Sequence, residues 1–182
     1  MKDKLRRAGW LILVLLFAGT GLGIGLVGFW QYTHQENQTN TSKSMQCSLD
    51  QSIPELTAAG GTLKGTKLPH FTPTAKVDIL KCIDIKVGSG NPVTATSTLT
   101  ANYTGALEST GVIFESSLDS GQPFSIPLSQ LIPGWQEGLL GMKPGGSRRL
   151  LIPSAAAYGP QAQPGIPANS NLVFNISLIA VQ

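Results

Sequence analysis

The chain has 182 residues, 41% of them hydrophobic, with 21 Gly and 12 Pro, which fits one turn-rich domain with appendages and argues against a helical bundle. Its formal net charge is +3, and the whole excess lies in residues 1–8, where Lys2, Lys4, Arg6 and Arg7 are set against Asp3 alone. The rest of the chain is balanced, so the basicity belongs to a tail and provides no nucleic-acid-binding face.

The tail leads into residues 9–30, a run without a charged residue that would span about 33 Å as a helix and can cross a bilayer. Trp10 near one end and Phe29, Trp30 and Tyr32 near the other suit aromatic anchors at the two interfaces. Basic residues precede the span and none follows until Lys43, which predicts a single-pass membrane protein with a cytoplasmic N-terminus and an extracytoplasmic remainder. A cleavable signal peptide is the rival reading. It fits less well, because the apolar run exceeds an ordinary signal core and no Ala-x-Ala-like site follows. Gly23-Ile24-Gly25-Leu26-Val27-Gly28 matches a dinucleotide-binding pattern but lacks the strand and βαβ unit that pattern requires. Gly19/Gly23 and Gly21/Gly25 fit a helix-pairing spacing and equally a glycine-rich anchor without a partner.

Residues 31–46 are rich in Gln, Asn, Thr and Ser and read as a solvated spacer, His34 included. Asn37, Asn40, Asn102 and Asn175 each begin an Asn-x-Ser/Thr pattern, which matters only where glycosylation machinery is present. Cys47 and Cys82 are the two cysteines. An extracytoplasmic setting favours a bridge between them; two buried thiols are the alternative. Residues 47–75 read as an N-terminal extension stapled onto the main domain, residues 76–182, and His70 within it reads as structural.

In the main domain, Ile79, Ile83, Ile85 and Val87 alternate with polar positions, as do Leu99, Ala101 and Tyr103, and Leu172, Phe174, Ile176, Leu178 and Ala180 keep the same period of two. These predict half-buried antiparallel strands. Ile132, Trp135 and Leu139 recur at helical spacing with Pro133 at the start and Gly141 past the end, which predicts one short helix. The fold class is α+β.

The chemistry of residues 102–174 is set by what they contain. Both histidines, His34 and His70, lie outside this stretch, so Ser116 and Ser117 have no base to activate a hydroxyl. No His/Cys/Asp/Glu cluster has metal-ligand spacing, and no cofactor is expected. What remains is a set of large apolar and aromatic side chains with a few hydrogen-bonding groups. Such a set suits a reaction that makes no covalent bond.

Five words occur in order: Asn102-Tyr103-Thr104-Gly105, Phe114-Glu115-Ser116-Ser117, Ile132-Pro133-Gly134-Trp135, Ala157-Tyr158-Gly159 and Leu172-Val173-Phe174. Together they resemble the FKBP-type peptidyl-prolyl cis-trans isomerases. The resemblance implies a strongly twisted antiparallel sheet of about five strands wrapped round one short helix. It also implies a proline pocket with Trp135 as floor, Tyr103, Phe124, Leu131, Ile132 and Phe174 as walls, Phe114 beside them, and Ile166 on an overhanging loop. Tyr158 matches the tyrosine whose hydroxyl donates to the substrate carbonyl. The implied partners are proline-containing segments of unfolded exported proteins, with macrolides such as rapamycin as candidate ligands. Glu115 stands where the family usually has Asp, Ser120 replaces a basic residue, Gln163 a histidine found in some members, and the loop before Pro167 is one residue short. These departures predict no ion pair at Glu115 and leave a second reading, a non-catalytic module that holds Pro-peptides or acts as a chaperone at the membrane surface.

Overall fold

The computed structural model describes residues 45–55, 62–74 and 76–182. The basic tail, the apolar span, His34, Asn37, Asn40 and all of the spacer but its last two residues lie outside the described residues. No helix among the described residues is long and apolar enough to cross a membrane.

Seven strands form one sheet: β1 (Ser48–Leu49), β2 (Lys81–Lys86), β3 (Thr98–Leu107), β4 (Ile113–Ser116), β5 (Phe124–Pro127), β6 (Ser147–Ile152) and β7 (Leu172–Val181). The order is β1-β2-β6-β7-β3-β4, with β5 also on β3. Every pairing is antiparallel except β1 with β2, so the sheet is mixed and larger than the five antiparallel strands expected. The difference has a local cause. β3 is bordered by β4 along one half and β5 along the other, and strands of two to four residues are too short to show a period of two.

The long strands follow their alternation. Leu99 and Ala101 in β3 and Leu172, Phe174, Ile176 and Leu178 in β7 are at most 4% exposed and belong to the main core. Ile79 and Val87 do not follow it: both lie outside β2 and are exposed. Instead Cys82 faces the core, bonded to Cys47, and the register of β2 shifts between Asp84 and Lys86. The expected bridge is therefore present, closing a separation of 35 residues.

Among the described residues there are two short α-helices, where one was expected in the main domain. The first, α1 (Ser117–Ser120), is a single turn capped by the Ser116 side chain and ended by left-handed Gly121; four residues give no helical period to read. The second, α2 (Pro133–Gly138), starts with Pro133 and buries Trp135. It sits directly on β6, because a Cβ on Gly134 would collide with Ile152 and one on Gly138 would lie 2.8 Å from Leu150.

The other face of the sheet is covered too. Leu68 packs with Ala106, Ile113 and Val173, and Leu63 and Phe71 pack against them. Residues 62–74 thus form a strap, tied by hydrogen bonds from the Leu63 and Lys64 amides to Asp119 and from Thr74 to buried Glu108. Arg149 holds its middle, donating to the carbonyls of His70 and Pro69 and lying 5.6 Å from the Phe71 ring centroid. His70 contributes its backbone oxygen there, which accords with a structural role. Of the Asn-x-Ser/Thr patterns within the described residues, Asn102 accepts from Ser117 in mid-strand and Asn175 is buried with Arg149 donating to it. Asn175 is thus too buried to meet a glycan-transferring enzyme, and Asn102 is part-buried within β3.

Candidate active site

Strand register arranges the helix-facing side in tiers. One tier runs Tyr103, Ile176, Arg148, Asp84, and the next Gly105, Phe174, Leu150, Cys82. Gly105 is the opening in this pattern: a Cβ there would come within 2.6 Å of both the Phe114 and Phe174 rings. Without one, the two rings meet edge to face above β3 at 5.8 Å, an arrangement aromatic pairs favour.

Trp135, 4% exposed, is surrounded by aromatic edges. Its ring centroid lies 5.2 Å from Phe174, 5.6 Å from Phe124 and 5.8 Å from Tyr103, all edge to face. Tyr103 and Phe124 also meet at 5.3 Å; Phe124 pairs across from Ala101, whose small side chain leaves room for the ring. Leu131 and Ile132 flank α2 and pack partly buried against the same cluster. Ile166 is buried at the end of a tight turn in which Gln163 and Ile166 exchange backbone hydrogen bonds. Gly165 takes the left-handed conformation that turn needs, φ 78°, and lies against Phe114. The structure thus brings together all ten pocket residues expected from the sequence except Glu115 and Tyr158, which stand at the edge, both exposed.

Electrostatics tie these two to the pocket. Burial pushes the Tyr103 phenol up to about 12, with the negative charge of Glu115 and a hydrogen bond to it adding to the effect. Burial and the same carboxylate raise Tyr158. Both hydroxyls therefore keep their protons as donors far above neutral pH. No salt bridge involves Glu115 among the described residues. Ser116 and Ser117 are structural: Ser116 shares a 2.7 Å bond with Thr104, and Ser117 accepts from the Tyr103 amide. Among the described residues no three His, Cys, Asp or Glu side chains could hold a metal ion.

Sequence reasoning gave no role to Gly105, Gly138, Asp84 or Arg148. Adjacent arginines on a strand must point to opposite faces, and that signal could have placed Arg148 beneath α2.

The helix side of the mixed sheet thus gathers a cluster of aromatic rings round the tryptophan of a short helix, with two phenols at or near its edge. The family model for FKBP-type peptidyl-prolyl cis-trans isomerase matches residues 90–179. The structure of a peptidyl-prolyl cis-trans isomerase from Pseudomonas syringae is 33% identical with a TM-score of 0.52, covering 65% of this chain and 85% of that one. That of AtFKBP13 is 32% identical with a TM-score of 0.51, covering 57% and 93%. The chain belongs to the FKBP-type peptidyl-prolyl cis-trans isomerase family. Among curated relatives, FkpA of Aeromonas hydrophila is 42% identical over 97 residues, which is 53% of this chain and 36% of that protein. FK506-binding protein 4 of Chaetomium thermophilum is 43% identical over 101 residues, 54% of this chain and 20% of that protein. The chain spans well under half the length of either.

Proposed function

We propose that the domain catalyses cis-trans rotation of X–Pro bonds in exported polypeptides. The observation that carries this reading is Trp135 framed by the edges of Tyr103, Phe124 and Phe174. The barrier to rotation is about 18–20 kcal/mol, because twisting the peptide bond sacrifices amide resonance. Twisting also removes charge separation from the amide, so an apolar site that excludes water favours the twisted form over the planar one. The proline ring packs on Trp135 between the walls of Phe124, Leu131, Ile132 and Phe174; Ile166 closes the side toward Phe114; Tyr158 donates to the substrate carbonyl. Tyr103 and Glu115 hold the rim polar without any proton moving in turnover. A macrolide such as rapamycin would compete for the same box, a ligand class supported by the name of the Chaetomium relative.

We further propose that residues 9–30 anchor the protein in a membrane with the domain on the external side. This is supported by the basic tail, the uncharged run and the Cys47–Cys82 bridge, since such bridges persist in oxidising compartments. The test of function is the NMR exchange rate of a Leu-Pro peptide with and without protein. Acceleration supports the enzyme; binding without acceleration replaces it with a Pro-peptide-holding module. Protease added to intact cells should digest the domain and spare the tail, and survival of the domain until the membrane is breached overturns the orientation.

A further inference from the structure

Helix α2 is short and carries the floor of the pocket, so what fixes its far end matters. The last carbonyls of a helix have no intrahelical partner. Here one buried side chain takes the carbonyl of the last helical residue and another just beyond the cap: Nη1 of Arg148 donates to Gly138 at 2.8 Å and to Leu140 at 3.3 Å. The same guanidinium grips Asp84 on β2 with two parallel bonds, Nε to Oδ1 at 2.7 Å and Nη2 to Oδ2 at 3.2 Å. Arg148 is 6% exposed, so these bonds act where water competes little. A cation at a helix C-terminus is also favourable. Asp84 and Arg148 lie in the same tier of the sheet as Ile176 and Tyr103, and Gly138 rests on Leu150 one tier along.

We infer that Arg148, oriented by Asp84, is a positioning residue for the pocket: it locks the C-terminal end of α2 to β2 and β6 and so fixes the angle at which Trp135 meets the proline ring. It touches no substrate. A lysine cannot replace it, since an ammonium lacks the planar fork that reaches a carboxylate and two carbonyls at once. Arg149 provides the internal contrast. It is similarly buried and hydrogen-bonded, yet it faces the strap and has no contact with α2.

This inference rests on the isomerase reading of the pocket, and the experiment separates the two. The full chain is prepared as wild type, Arg148→Met, Arg148→Lys, Asp84→Asn and, as the opposite-face control, Arg149→Met. Two quantities are read on folded protein: kcat/KM for a Leu-Pro peptide and the NMR resonance of the Trp135 indole N–H. Arg148→Met should lower kcat/KM about tenfold and shift or broaden the indole signal, as a small misplacement of a binding group does. Arg148→Lys and Asp84→Asn each break part of the clamp and should cost roughly two- to fivefold. Arg149→Met should lower the melting temperature and leave both readouts in place. If Arg148→Met does not fold, Arg148→Lys and Asp84→Asn decide by the same two readouts. Folded variants with kcat/KM within about twofold of wild type and an unmoved indole overturn the inference, as does an Arg149→Met that moves both equally. A wild type that does not accelerate exchange ends the isomerase reading alone, and the indole signal then decides whether Arg148 sets Trp135.

Discussion

The two faces of this sheet are built from the same strands yet do opposite work. On the helix side β3, β6 and β7 present Tyr103, Leu150, Phe174 and Ile176, an apolar and aromatic surface that closes on Trp135. On the strap side their alternate residues include Asn102, Thr104, Ser147, Asn175 and Ser177, which line a small recess together with Glu55 and the apolar Ile85 and Leu118. There Ser147 donates to Glu55, Arg149 to Asn175, and the Asn175 Nδ2 has no protein partner. A polar buried face is stabilised by matched hydrogen bonds and is specific about what covers it. An aromatic face is tolerant of its guest, needing only shape and dryness. The strap side is thus held by matched hydrogen bonds to the segments that cover it, and the helix side holds the main core round Trp135.

The largest break in that comparison is Trp135→Ala. Truncating a buried aromatic costs about 3–5 kcal/mol of stability and removes the surface the proline ring meets, so the rate loss should exceed that of any edge substitution once folding has been confirmed by calorimetry. Reduction of Cys47–Cys82 comes next and acts on the scaffold alone. Releasing a loop of 35 residues should lower stability by about 4 kcal/mol in the chain-entropy treatment, while kcat/KM of the still-folded fraction stays level. A proportional loss of rate would show that the sheet edge and the pocket are not separate.

Smaller effects sharpen the edge of the pocket. Tyr158→Phe removes one hydrogen bond, about 0.5–1.5 kcal/mol, and should slow isomerisation roughly 2- to 13-fold. The smallest expected change is with pH. Tyr103 is raised to about 12 and Tyr158 is raised as well, so the rate should be flat between about pH 6 and 9. Alkali should act on stability instead. A pKa higher in the folded state than its ordinary 10.0 gives stability that is fully present below that value and lost as pH rises through about 12. The melting temperature should start to fall near pH 10, and a decline that begins near neutrality would mean another group governs.

Long periodic strands and the pocket words were legible because each residue there obeys both a local period and a chemical demand. Leu99, Phe174 and Ile176 face the core as alternation requires, and Trp135 begins a helix that Pro133 announces. The short strands β1 and β4 were not, since they owe their form to tertiary partners, the Cys47 bridge and the Gly105 opening; the single turn α1, capped locally by Ser116, is too short to show a period. Ile79 and Val87 misled because β2 is anchored by Cys82 and Asp84 and is irregular near its end. Glycines were visible in the motifs, but the collisions at Gly105 and Gly138 exist only once Phe114, Phe174 and Leu150 are in place.

The last strand in sequence, β7, lies in the middle of the sheet, paired along its length with β3 and β6. During synthesis, then, β3 and β6 emerge with no neighbour between them, and the wall that Phe174 supplies is made after both. Contacts of such long separation close slowly. Until β7 follows, β3 and β6 form an open, apolar half-sheet, and a domain without residues 172–181 would have no centre round which to fold.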